Sequence, residues 1–236
     1  MNKYRLEEIR SAEEKSHIEI YSSATLFEKG TWLNRPIKTV MDVLPLFKEK
    51  KSLRVLDLGS GVGRNSIPIA QAYSDIECNI ECVDILDLAI EKLNYYSEKY
   101  NVKSNIKGIV MPLEMYSIRE NYYEFIMAVS ALEHIESKNA FQSKLIEIKE
   151  GICTNGVVCL VINTEIIEKS KETKQILEPQ FEVNLSTEEM KMILENTFQN
   201  WNFIKYNTVS QKYDIPREEH IVELSTNVVT LVAQKQ

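Results

Sequence analysis

The chain has 236 residues, 44% hydrophobic and 27% charged, a composition that supports one globular domain with a substantial core. Its formal charge is −7, and its 28 basic residues are interspersed with 35 acids, so it lacks the clustered Lys and Arg that grip a phosphate backbone. Neither a nucleic acid nor a membrane is an expected partner. No apolar run approaches spanning length, and the opening MNKYRLEEIR has no signal-type apolar segment, which points to the cytoplasm.

Residues 1–22 are polar and helix-compatible. The segment from Tyr21 to Pro36, YSSATLFEKGTWLNRP, is dense in aromatics and punctuated by Gly30 and Pro36, and Ile37 to Phe47 carries apolar residues at helical spacing. Strand-like and helix-like runs then alternate, as an α/β fold requires. Strands are predicted over 53–58, 79–84, 105–110, 123–129 and 156–163, with helices over 63–74, 86–100 and 136–150. Pro68 falls in the early turns of its helix, where a missing N–H costs least. Thr164 to Ser186 reads as a polar insert, and Ser186 with Glu189 forms an S-x-x-E capping box opening a helix to about Phe198. WNFIKYNTVS and STNVVTLVAQ supply two closing strands.

The chemistry concentrates in LRVLDLGSGVGRNSIPI, Leu53 to Ile69. An apolar strand ends in Asp57, Gly59, Gly61 and Gly63 follow, and a helix opens within the loop. Such a turn lets backbone approach a ligand that a Cβ would exclude, and the helix start offers unpaired N–H groups. The next strand, NIECVD, ends in Asp84, an acid placed to bond a ribose diol. A nucleoside cofactor is therefore expected. The dinucleotide fingerprint has a third glycine where this chain has Arg64, and Asp57 would repel a diphosphate. The same acid suits a sulfonium and an ammonium.

The pattern apolar-apolar-Asp-Leu-Gly-x-Gly-x-Gly resembles motif I of class I S-adenosylmethionine-dependent methyltransferases. The resemblance spans about residues 50–163, through Asp84, the loop at Met111–Leu113 and YYEFIMAVSALEHI from Tyr122 to Ile135. GRNS at Gly63–Ser66 is most similar to the small-molecule branch that includes tellurite-resistance and thiopurine methyltransferases. Two positions depart from the pattern: Pro112 stands where many relatives have an Asp for the adenine amine, and Glu124 replaces the Asp before the fourth strand.

The resemblance implies a doubly wound, Rossmann-like seven-stranded sheet in the order 3-2-1-4-5-7-6, its last strand antiparallel. It implies one domain over 1–236: a cap or lid segment (1–50), a cofactor-binding core (51–163), then a specificity insert, helix and terminal hairpin (164–236). It assigns Asp57, Gly59, Ser60, Gly61 and Gly63 to the methionine end of S-adenosylmethionine, Asp84 and Ile85 to its ribose, and Met111, Pro112 and Leu113 to its adenine. Val129 would lie close to the cofactor. Arg64 either contacts the cofactor carboxylate or covers the helix surface, and Asn65 reads as a first-turn residue.

His134 is the catalytic candidate, as a general base near neutral pH, or else Glu133 and His134 only open the following helix. Tyr21, Trp32 and Arg35 either fold over the cofactor or substrate, or anchor the next helix. No metal is expected: Cys78, Cys82, Cys153 and Cys159 form no C-x-x-C pair, and His17, His134 and His220 offer no ligand spacing. Cys82 and Cys159 read as core residues, and His220 as structural or exposed. The expected function is methyl transfer from S-adenosylmethionine to a small-molecule acceptor, leaving S-adenosylhomocysteine. A cofactor-binding module without turnover and a nicotinamide-dependent oxidoreductase are the alternatives.

Overall fold

The alternation of apolar strands and amphipathic helices builds a central sheet with helices on both faces. In the computed structural model, residues 3–217 and 220–236 are described, and the His220 side chain, with its expected role, lies outside them. The strands are β1 (Ser52–Leu58), β2 (Glu77–Asp84), β3 (Ile106–Val110), β4 (Tyr123–Val129), β5 (Ile152–Ser170), β6 (Ile176–Leu177), β7 (Asn202–Arg217) and β8 (His220–Gln234). Their order is β3-β2-β1-β4-β5-β8-β7, with the two-residue β6 added on β5. This is the expected arrangement plus one short strand: β1 to β5 pair in parallel, and β8 runs antiparallel between β5 and β7.

Side-chain alternation assigns each strand's two faces. Val55, Phe125, Val157 and Val232 point to one core with α2 (Lys38–Val43), α3 (Ser66–Ala72) and α4 (Asp87–Lys99). Leu56, Ile126, Val158 and Leu231 point to the other, under α5 (Lys138–Gly151) and α6 (Thr187–Thr197). Cys82 and Cys159 are buried in the first core as small hydrophobes. The Ile37–Phe47 helix is shorter than its pattern, since a 3-10 turn takes over at Leu44, before Pro45.

Two features differ from expectation. The strand expected to end at 163 bends at Thr164–Ile167, with Glu165 at φ 48°, and continues to Ser170. The hairpin β7–β8 lengthens with it, so the expected insert begins as sheet, from Thr164 to Ser170. Hydropathy concealed this because a charged residue, Glu168, points inward and is neutralised by Arg217 Nη2 at 2.8 Å. The second feature is α1 (Lys3–Ser23), which packs with almost no apolar stripe: only Ile9 and Tyr21 of it are buried. It is held across the ends of the strands by charge, Arg10 with Glu114 at 2.5 Å and Glu13 with Arg217 at 2.6 Å.

Half of the capping box forms: Ser186 Oγ accepts the Glu189 N–H at 3.2 Å, while the Glu189 carboxylate pairs with Lys138. Ser186→Ala is expected to lower the unfolding free energy by about 1 kcal/mol, measured as a reduced urea midpoint with unchanged slope.

Candidate active site

The sheet's order reverses between β1 and β4, and the site lies outside the carboxyl ends of these strands, where doubly wound folds open a crevice. The turn after β1 is bound to the neighbouring strand: the N–H groups of Gly59 and Ser60 donate to the Val83 carbonyl at 2.8 and 3.1 Å. Gly59, Gly61 and Gly63 all have positive φ, and a Cβ on Gly59 would lie 2.2 Å from the Ala131 Cβ. The turn can therefore be built only of glycine at that position.

Asp84 ends β2 and closes the turn from the side. Its Oδ2 accepts the Gly61 N–H at 2.8 Å and its Oδ1 accepts the Leu86 N–H at 3.0 Å. Burial raises its carboxyl above the usual range, against the lowering effect of those amides and of the nearby His17 ring. Asp57 is buried at the tip of β1, accepts the Ser66 hydroxyl at 2.5 Å, and is pushed up to about 7 by burial, countered by Ser66 and reinforced by Asp84. Neither acid forms an ion pair among the described residues. Two neighbouring carboxylates without a cationic partner, beside a glycine turn, match a cationic adenosyl ligand, and each Asp84 oxygen keeps a lone pair for a hydroxyl.

Other expected residues take definite places. Ile85 is exposed at the rim of the turn. Met111 donates its N–H to the Asp84 carbonyl at 2.8 Å, Pro112 leads into the 3-10 turn Leu113–Met115, and Leu113 packs into the core under α5. Val129 ends β4 beside the switch point. Arg64 is committed elsewhere: it donates to the Trp32 carbonyl at 2.7 Å and lies 4.9 Å over the Trp32 ring. Asn65 is not merely a first-turn residue, since its Oδ1 accepts the Ile37 N–H at 3.0 Å and ties the N-terminal segment to the turn.

Tyr21 is brought to the turn. It is 4% exposed, and a Cβ on Gly61 would lie 2.8 Å from its hydroxyl. With His17 and the half-exposed Trp32 it forms an aromatic group, ring centroids 5.6 to 6.4 Å apart. Arg35 is exposed and makes no side-chain hydrogen bond or ion pair among the described residues.

His134 lies in the 3-10 turn Leu132–His134 after β4. Burial disfavours its charged form, but the Glu182 hydrogen bond at 3.1 Å and the charges of Glu13, Glu133 and Glu182 win, raising it to about 9. At neutral pH such a ring carries a proton on both nitrogens and donates hydrogen bonds. Glu133 does more than open a helix: it accepts from Asn163 on β5, and its Oε2 has no hydrogen-bond partner among the described residues.

The sequence reading missed Arg10, Glu13, Glu182 and Arg217, which wall the site. Their signal was the spacing of Arg10, Glu13, His17 and Tyr21, which puts four polar or aromatic side chains on one face of α1.

Residues 29–218 match the family described as tellurite resistance protein TehB. The chain belongs to the TehB family. The crystal structure of TehB from Haemophilus influenzae is similar, with a TM-score of 0.66 at 19% identity, covering 94% of this chain and 67% of that one. The 1,6-didemethyltoxoflavin-N1-methyltransferase of Burkholderia thailandensis, solved with 1,6-didemethyltoxoflavin and S-adenosylhomocysteine, gives 0.57 at 12% identity, covering 98% and 90%. Both likenesses describe the fold. A curated relative, the sterol 24-C-methyltransferase ERG6 of Saccharomyces cerevisiae, is 27% identical over 125 residues, 52% of this chain and 31% of that protein's length.

The Asp57 carboxyl is raised, so in the free protein its contribution to stability is complete below its unfolded value near 4 and is lost as pH rises toward about 7. Asp57→Asn is expected to flatten the stability curve over that window, measured by urea unfolding at several pH values.

Proposed function

We propose that the chain moves the methyl group of S-adenosylmethionine to a small-molecule acceptor. The observation that carries this reading is Asp84, whose carboxylate fixes the glycine turn at Gly61 while leaving lone pairs for two ribose hydroxyls. The cofactor supplies an activated methyl on sulfur, whose departure as a thioether needs no proton. The chain's contribution is then mostly binding, alignment and exclusion of water.

In this reading Asp57 and the turn Gly59–Gly63 face the amino-acid end, Asp84 and Ile85 the ribose, and Met111 with Pro112 the adenine edge. Leu113 supports that edge from the core, and Val129 borders the reacting end. Arg64 holds Trp32 in place beside the turn. The segment 1–50 is the cap: α1 sets Tyr21 against Gly61, and its ion pairs close the cleft over bound ligand. Residues 51–163 are the binding core, and 164–236 the specificity region. A cavity of about 420 Å³ lies between the first turns of α1 and residues 178–184, lined by Arg5, Ile9, Phe181 and Glu182.

Cofactor choice is tested by thermal denaturation. S-adenosylmethionine and S-adenosylhomocysteine are expected to raise the midpoint, while NAD(H) and NADP(H) leave it unchanged; the reverse pattern would overturn the reading. Asp84→Ala is expected to weaken S-adenosylhomocysteine binding roughly ten- to a hundredfold by calorimetric titration, as loss of a charged hydrogen-bond acceptor implies. A methyl-transfer screen over small phenols, amines, thiols and chalcogen oxyanions then identifies the acceptor. Cofactor binding with no transfer to any of them would favour a binding module.

A further inference from the structure

The imidazole of His134 is held on two sides by one short segment. Phe181 stacks on it with ring centroids 4.9 Å apart, and the next residue, Glu182, takes its Nδ1–H at 3.1 Å. The Glu182 side chain is 2% exposed, and its other oxygen lies 3.6 Å from Arg10 Nε on α1. The segment itself is fixed. The Val183 N–H donates to the Glu133 carbonyl at 2.9 Å, and the Asn184 amide bonds both the N–H and the carbonyl of Ile166 at 2.8 Å. A buried carboxylate on an immobilised segment, shared by a lid arginine and a site histidine, has a stronger warrant than a surface ion pair.

We propose that Glu182 is a positioning residue for methyl transfer: by holding Nδ1 of His134 it presents the opposite Nε2–H to a lone pair on the acceptor. The inference rests on the transfer reading above and names the acceptor's chemistry. His134 Nε2 makes no hydrogen bond among the described residues, and the side chain is 27% exposed, so part of the ring is open to a ligand. The charged and titratable groups facing the ring are Glu13 from α1, Glu133 from its own turn and Glu182. Tyr213 and Arg217 of β7 stand behind, within the field of Glu13.

A ring so held donates a hydrogen bond and cannot take a proton. The acceptor must therefore arrive with one lone pair free for attack and another for the Nε2–H, as a thiolate or an anionic oxygen does at neutral pH. That lone pair forms the bond to carbon, the carbon–sulfur electron pair remains on the departing thioether, and no proton is lodged on His134.

The test follows the His134 ring by NMR titration of the S-adenosylhomocysteine complex, and kcat/KM with benzenethiolate between about pH 7.5 and 10, where this probe stays ionised. In the parent chain the ring is expected to titrate near 9, with kcat/KM level below that value and falling tenfold per unit above it. Glu182→Gln should move both midpoints at least one unit lower, Glu182→Asp should restore most of the shift, and His134→Gln should give a slow, pH-independent rate. A His134 midpoint unmoved in Glu182→Gln, or a rate that rises with pH, would overturn the inference. A parent chain that binds the cofactor but methylates nothing would instead count against the transfer reading itself, the titration still judging the role of Glu182.

Discussion

One carboxylate joins the parts on which the site depends. Asp84 sits at the tip of β2, yet it holds Gly61 of the β1 turn through Oδ2 and Leu86 at the entrance to α4 through Oδ1. Its own carbonyl accepts the Met111 N–H after β3. Three neighbouring loops are thus fixed by a single residue, and the amides that fix them also offset much of the cost of burying its charge. Losing it would unfasten the turn as well as remove a ligand group.

The second constraint is electrostatic. Asp57 and Asp84 stand at adjacent strand tips, neither in an ion pair among the described residues, and Asp84 adds to the rise of the Asp57 carboxyl only modestly beside the effect of burial. Such a pair is costly in the empty protein and favourable against a positive ligand. Around it the remaining charges are paired: Arg10 bridges Glu114 and Glu182, and Arg217 bridges Glu13 and Glu168. These bridges are what hold α1 over the cleft, since that helix brings only Ile9 and Tyr21 to the core. A helix fastened by ion pairs rather than apolar area can separate from the fold at small cost in exposed hydrocarbon.

The glycine-turn half of the candidate site was legible because its residues obey local rules. Apolar strands ending in acids, glycines with positive φ and a Ser186 cap each announce themselves within a few positions. The order of the strands followed from the motif resemblance, and β6 was too short to see. The half around His134 was not legible, for a physical reason. Its wall is built from charged residues that point inward and find partners distant in sequence, as Glu168 finds Arg217 and Glu182 finds His134. A polar run such as IIEKS therefore reads as a loop although it is strand. Likewise the charge on His134 is set by Glu13, Glu133 and Glu182, and residues 13 and 182 meet only in the folded chain.

The central claim is that the two strand-tip acids and the glycine turn between them receive a cationic adenosyl donor. A crystal structure of the chain with S-adenosylhomocysteine tests it most directly. The account expects both ribose hydroxyls on the Asp84 carboxylate and the amino-acid end along Gly59–Gly63, beneath Tyr21. An adenosyl group bound away from Asp84, or a dinucleotide lying across the turn, would contradict it.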